Sequence, residues 1–328
     1  MICIDTLQAW AHECGFSEIQ FCAADDFDHA KSIVEEQEPL SERRQLRYFP
    51  HEDHPWIQSI AVLLWHYLPR TDVGTEESVF VDSYYAASNA AYHAACELEC
   101  RLTDAGHHAK ANVAYPAKEA ALRAGMGVIG KNSLLITPEN GSRVVIILMA
   151  TDLYVPVKRD LRACDKSTTS CLDCGRCAKA CPTGAIDEKG MSHPEKCLRN
   201  FMMEGVVIPE HLRKRIGMKL LGCDICQRVC PMQPVFSPTP KRLAYPLSGF
   251  ITDDSSVFSA SVSKLATEIG RNTARPQRIR AQVAILAGNS KNPEYLPVLR
   301  AWSNSPFEAV RIHALWAISQ IELEDANT

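Results

Sequence analysis

Residues 171–182 read Cys171-Leu-Asp-Cys174-Gly-Arg-Cys177-Ala-Lys-Ala-Cys181-Pro182. Three thiols come three residues apart, and a fourth follows four residues on, just before a proline. This is the C-x2-C-x2-C-x3-C-P run of bacterial ferredoxins, in which three thiolates wrap one 4Fe–4S cube and the fourth ligates another. Each cube then needs ligands from elsewhere, and the chain supplies Cys197 and Cys223-Asp-Ile-Cys226-Gln-Arg-Val-Cys230-Pro231. The assignment is Cys171, Cys174, Cys177 and Cys230 to cluster one, and Cys181, Cys197, Cys223 and Cys226 to cluster two. C-x2-C pairs also build zinc ribbons. A ribbon needs neither the third cysteine nor a Cys-Pro on both halves, so two iron–sulfur clusters are the preferred reading.

Eight of the 14 cysteines fall within residues 171–230. Cys3, Cys14, Cys22, Cys96 and Cys100 are scattered and Cys164 stands alone; these read as structural thiols. A thiol cluster in a chain with no basic-then-apolar leader suits metal rather than disulfides, and a cytoplasmic location. No apolar run approaches the roughly 18 residues of a membrane helix, so no membrane attachment is expected. The net charge of −4 gives no global pull towards nucleic acid. A length of 328 residues, 46% hydrophobic, suits two or three domains in a monomer.

The first 160 residues read as α/β. Residues 7–14 suit a helix, 18–23 a strand and 60–65 a second, apolar strand. Residues 84–105 hold no glycine or proline and predict one long helix. Residues 118–125 predict a helix ending on glycine, and 127–132 a tight turn. Residues 133–137 and 143–151 are β-rich, and Pro138-Glu-Asn-Gly141 between them has hairpin chemistry. Residues 161–245 form the cysteine-rich segment, closed by a proline-rich linker over 234–246. Residues 278–286, 294–302 and 310–321 have helical spacing and make about two repeat units that must pack on the main body. The expected architecture is an α/β (α+β) domain at 1–160, a ferredoxin-like double-cluster domain at 161–245, and a C-terminal α-helical repeat at 246–328.

Three stretches together resemble the epoxyqueuosine reductases. They are residues 171–181, Ile216-Gly-Met-Lys-Leu-Leu-Gly-Cys-Asp-Ile-Cys-Gln227, and Gly125-Met-Gly-Val-Ile-Gly-Lys-Asn-Ser-Leu-Leu-Ile-Thr-Pro-Glu-Asn-Gly-Ser142. Residues 280–321 look like that family's HEAT-type repeat. The resemblance implies a base-off cobalamin above one of two 4Fe–4S clusters, as in the related reductive dehalogenases. It also implies reduction of the epoxide of epoxyqueuosine in a tRNA anticodon loop. By the same resemblance Gly130, Lys131, Asn132, Ser133, Leu135, Gly141 and Ser142 line the corrin face. Asp224 and Gln227 would meet a cobalamin edge beside the cluster-two cysteines. For Lys131, Asn132 and Ser142, turn-forming or capping chemistry is an equal alternative. Electrons from an external low-potential donor of flavodoxin or ferredoxin type would enter at cluster one and cross to cluster two. A neighbouring acid must protonate the departing oxygen.

Three departures bear on that acid. The family's Val-Asp-Thr segment carries the proposed proton donor, but Lys110-Ala-Asn-Val-Ala-Tyr-Pro116 has no acid. The family's Asp-Tyr-His is Ala91-Tyr92-His93, and an aromatic motif before the repeats is replaced by Gly270-Arg-Asn-Thr-Ala-Arg275. Tyr115 is the candidate acid in its place, with Lys118 near enough in sequence to lower its pKa. A tyrosine packed in the core is the plainer reading. Between Arg271 and Arg311 seven basic residues face only Glu294 and Glu308, a strip that suits a tRNA backbone or simply a solvated helix face. Two other functions stay open: a paralogue reducing a different small electrophile, or a corrinoid-binding, electron-transfer iron–sulfur protein without a tRNA substrate.

Overall fold

The structure is a computed structural model that describes residues 4–35, 46–69, 77–156, 171–187, 193–234 and 243–325. Cys3, Cys164, Pro238 and Pro240 lie outside the described residues. The described strands are β1 (Glu18–Ala23), β2 (Ser59–His66), β3 (Ser78–Val81), β4 (Ala109–Ala111), β5 (Val128–Ile129), β6 (Leu135–Ile136), β7 (Val144–Thr151), β8 (Lys219–Leu221) and β9 (Ala244–Pro246).

One sheet runs β1-β2-β7-β4, antiparallel throughout. Its central strand explains the two-sided burial. Side chains alternate along β2, so Ala61 and Leu63 enter one core while Ile60, Val62 and Leu64 enter the other. Helices Ile4–Glu13 and Ser83–Asp104 complete the first core, and helix Ala117–Arg123 the second. A strand covered on both faces reads as an unbroken apolar run. Truncating such a residue, Leu63→Ala for example, costs about 2–5 kcal/mol. The long helix begins where Asp82 accepts a hydrogen bond from the Tyr84 amide at 2.9 Å. Ala87, Ala91, Ala94 and Ala95 give it a slim buried face.

The expected hairpin between residues 133–137 and 143–151 does not form as such. β6 pairs with β5 instead, and β7 lies between β2 and β4. Gly127 sets this choice. Its φ is +151°, and a Cβ there would stand 2.2 Å from the Ile136 carbonyl oxygen, so only glycine lets the two segments approach. The expected turn survives as a bridge between Thr137 and Gly141.

A second sheet, β8-β3-β9, joins three distant pieces of chain. β3 runs parallel to β8 and antiparallel to β9. The proline-rich stretch over 234–246 thus ends in a strand rather than in linker. One core continues from Val79, Val81 and Tyr85 through Leu198, Ile216 and Leu221 into helices Ser255–Ile269, Pro276–Ser290, Leu296–Trp302 and Glu308–Asp325. A Cβ on Gly288 would lie 2.8 Å from Ala317 Cα, which marks where the second and fourth of these helices touch. His313 pins the array to the cysteine-rich segment. Its Nε2 accepts the Ile208 amide at 2.9 Å and its Nδ1 lies 2.9 Å from the Ala281 carbonyl.

Candidate iron–sulfur and active site

The eight thiols gather in two groups of four. Cys171 and Cys174 lie on the loop entering helix Arg176–Ala180, which Asp173 (φ 53°) and Gly175 (φ 67°) coil through left-handed backbone, and Cys177 lies in the helix's first turn. Cys230, just past helix Ile225–Arg228, closes the set. All four line one cavity of about 350 Å³ with Lys131, Asn132, Ile136 and Met232. Cys174 is exposed. Cys181 and Cys197 terminate the Arg176–Ala180 helix and precede the Leu198–Glu204 helix, respectively. Cys223 follows β8, and Cys226 sits within helix Ile225–Arg228. Cys226 has Cys223, Cys197, Cys177 and Cys181 as its charged neighbours, so the groups adjoin through Cys177.

Electrostatics explain what these sulfurs require. Burial pushes the Cys226 thiol far up and Cys223 to about 11. Cys177 and Cys230 are raised by the same cause. A buried thiol stays protonated until a cation displaces the proton, so these groups are built for metal. Cys181 goes the other way. Burial raises it, but hydrogen bonds from Thr183, Ala185 and Ile186 outweigh that and leave it low. Among the described residues no three His, Cys, Asp or Glu side chains converge on a single ion. The donor set fits two cubes.

The residues assigned by resemblance to a corrinoid fall at the junction between hairpin 128–136 and the cluster segment. Lys131 pairs with Asp173 at 2.5 Å, tying the hairpin to the first thiol loop. Asn132 Oδ1 accepts the Leu134 amide, Ser133 has φ 58°, and Leu135 is buried in the second core of the first sheet. A Cβ on Gly130 would lie 2.6 Å from Ile136 Cδ1, and one on Gly141 would lie 2.6 Å from the Met232 carbonyl oxygen. Ser142 accepts from Gln227 Nε2 at its carbonyl (2.7 Å) and from Gln233 Nε2 at its hydroxyl (2.6 Å). Gln227 is also bonded to the Tyr67 hydroxyl, and Asp224 holds Arg228 at 2.9 Å and Arg143 at 3.7 Å. Most of these groups are therefore spent on one another. Among the described residues, buried Arg143 Nη1 and Gln233 Oε1 beside them have no hydrogen-bond partner. One donor and one acceptor match the amide groups that fringe a corrin.

A second cavity, about 180 Å³, is lined by Asp82, Lys219, Gly222 and Asp224. Burial and then Asp224 raise the Asp82 carboxyl above its usual range, against the Tyr84 amide, Arg199 and Arg143. Sequence reasoning missed Asp82, Arg143 and Gln233. Asp82 looks like a helix cap, which it also is.

The structure places Tyr115 in the second core of the first sheet. The ring is buried against Phe27, 5.9 Å between centroids, and its hydroxyl reaches the Pro50 carbonyl at 3.5 Å. Burial and Asp53 push it up to about 12. Lys118 is not among its charged neighbours; those of Lys118 are Arg199 and Cys197. Lys118 keeps solvent access, yet surrounding protein pushes its ammonium down, Arg199 adds to this, and Cys197 opposes it. Two of the sequence departures meet in space: Asn112 Nδ2 lies 3.4 Å from the Tyr92 carbonyl.

The basic strip is partly structural. Arg278 donates to the Asn272 and Thr273 carbonyls, Arg280 lies over Phe258, and Arg311 donates to the Ser305 carbonyl. Arg271, Arg275, Lys291 and Arg300 are exposed. No helix among the described residues is long and apolar enough to cross a membrane.

Residues 170–233 match the 4Fe-4S double cluster binding domain family. The epoxyqueuosine reductase of Listeria monocytogenes is 28% identical over 360 residues, covering 98% of this chain and 90% of that protein. That of Aliivibrio fischeri is 25% identical over 349 residues, 97% of this chain and 91% of its own. A crystal structure of an epoxyqueuosine reductase superposes with a TM-score of 0.76 at 24% identity, covering 98% of this chain and 93% of that one. Another, bound to an epoxyqueuosine-modified tRNA-Tyr stem loop, gives 0.76 at 24% identity over 98% and 92%. The chain is thus similar to the epoxyqueuosine reductases over nearly all of its length, has their fold, and contains a 4Fe–4S double cluster binding domain.

Proposed function

We propose that this protein is an iron–sulfur, cobalamin-dependent reductase that removes the epoxide oxygen of epoxyqueuosine in tRNA. The observation that carries this reading is the pair of four-thiol groups adjoining through Cys177, with Cys223 of the inner group beside Asp224 and Lys219 of the second cavity, in a chain similar along its length to reductases of that name. Taking the oxygen off as water and leaving a carbon–carbon double bond consumes two electrons and two protons. Electrons from an external low-potential donor would enter at Cys171, Cys174, Cys177 and Cys230, where Cys174 is exposed, and pass to Cys181, Cys197, Cys223 and Cys226. Cobalamin, when bound, supplies a strongly nucleophilic metal centre for opening a strained ring. Arg143 Nη1 and Gln233 Oε1, with hairpin 128–136 behind them, are the groups that would hold it. Asp82 is the acid that fits the departing oxygen, because it lines the cavity beside the inner cysteines and Tyr115 does not. On the HEAT-type reading of the last four helices, exposed Arg271 and Arg275 would meet tRNA phosphate, with exposed Lys291 and the Glu322-paired Arg300 in the same helical array.

The test is conversion of epoxyqueuosine in tRNA by anaerobic protein carrying about eight irons per chain, with excess cobalamin and a low-potential reductant. Queuosine should appear. If epoxyqueuosine persists, the reading falls, and the departures at Ala91 and Asn112 then favour a paralogue acting on another small electrophile.

A further inference from the structure

Two separate elements bring positive charge to one sulfur of the inner group, and a third holds one of those charges in place. Cys197 caps helix Leu198–Glu204, and Arg199 lies two residues on. The Arg199 guanidinium is clamped over the rings of Tyr84 (4.7 Å) and Tyr85 (5.5 Å), at the head of helix Ser83–Asp104. Lys118, from the first turn of helix Ala117–Arg123, reaches the same spot, and its charged neighbours are Arg199 and Cys197. Arg199 itself faces Tyr85, Tyr84, Asp82 and Cys197. Two cations side by side repel, and Asp82 is the one carboxylate among these neighbours. The arrangement makes sense around a negative body. A 4Fe–4S cube with four thiolates carries net negative charge and gains more on reduction.

The outer group differs. Its cavity is lined by Lys131, already matched by Asp173 at 2.5 Å with that carboxylate 72% exposed, and by Arg176, which is exposed. Lys131 is neutralised locally, and the charge of exposed Arg176 is screened by water. Burial by itself would make the inner cube the harder one to reduce, because low dielectric penalises added charge. Electrons would then stall on the outer cube.

We propose that Arg199 and Lys118 are positioning residues that raise the reduction potential of the inner cluster, so that electrons run downhill from Cys171/Cys174/Cys177/Cys230 to Cys181/Cys197/Cys223/Cys226. Net charge and the surroundings of the sulfurs are the levers that set cluster potentials. The inference rests on the double-cluster reading and not on the substrate.

The experiment is an anaerobic redox titration followed by electron paramagnetic resonance on the full chain. Cys174→Ser identifies the outer cluster's signal. Lys118→Met and Arg199→Met should each shift the inner midpoint to more negative potential and leave the outer one in place; Lys118→Arg and Arg199→Lys should stay near wild type. Unchanged midpoints in fully loaded Lys118→Met, or equal shifts of both clusters, overturn the proposal. Lys118 is exposed, so this variant decides the matter even where Arg199→Met fails to fold. Wild-type protein holding only about four irons would overturn the double-cluster reading and the proposal with it.

Discussion

The outer thiols Cys171, Cys174 and Cys177 come from one short loop and a single helical turn, and only Cys230 is brought from afar. The inner four come from a helix end, a second helix start, a strand end and a third helix. Around the outer set lie solvent and a hairpin tip. Around the inner set lie the small sheet, the long helix and the shared core of the C-terminal helices. One site is therefore made by local spacing, and the other only by tertiary assembly. Damage to the outer site should cost an electron entry point, and damage to the inner site should cost the reaction.

The largest expected effect separates the two directly. Cys226→Ser should lose about four irons and abolish turnover with any reductant, whereas Cys174→Ser should keep turnover with a small chemical reductant and lose it with a protein donor. Equal loss under both reductants breaks the comparison. Next, Asp82→Asn should slow single turnover about 1000-fold with iron content unchanged, while Tyr115→Phe leaves the rate intact. The reverse pattern would return the acid to Tyr115.

Acid should loosen the inner side first. In the fold His313 is neutral, its Nδ1–H donating to the Ala281 carbonyl while Nε2 accepts from Ile208, and burial pushes it down to about 4. The unfolded chain takes up that proton near pH 6.5. The contribution is whole above pH 6.5 and fades as pH falls towards 4, to a total on the order of 3 kcal/mol. Urea unfolding of His313→Gln with the same pH slope as wild type would remove this account. Arg271→Glu with Arg275→Glu should weaken stem-loop binding about tenfold and flatten its salt dependence, without touching cluster content. Smallest is Glu322→Gln, which frees exposed Arg300 from a 3.1 Å pair and should change stability by about 0.3 kcal/mol in thermal melts.

The outer thiol loop was legible because its ligand spacing is a local property, whereas the inner four thiols are brought together from elements far apart in sequence. The central strands were legible because residues 60–64 form an apolar run longer than a turn and shorter than most helices. β3, β8 and β9 were not, since each has three or four residues and takes its partners from far along the chain. The pairing of 133–137 was misjudged because Pro138-Glu-Asn-Gly141 advertises a turn, while Gly127, ten residues upstream of Thr137, fixes the partner. Asp82 hid behind its role as a cap. Lys118 was read against Tyr115, three residues away in sequence, but a helix start turns the two side chains to different sides, and distant Arg199 became its neighbour.

The β8-β3-β9 sheet has a consequence in time as well as in space. It needs residues 78–81, 219–221 and 244–246 together, with the Leu247 amide bonded to the Glu77 carbonyl. Closing loops of that length is slow, and during synthesis the last strand appears long after the first. The first sheet, complete by residue 151, has no such wait. A ribosome carrying this chain would thus display a folded N-terminal half and a tail of reduced thiols, and the inner cube would receive its walls, and its protection from oxygen, last of all.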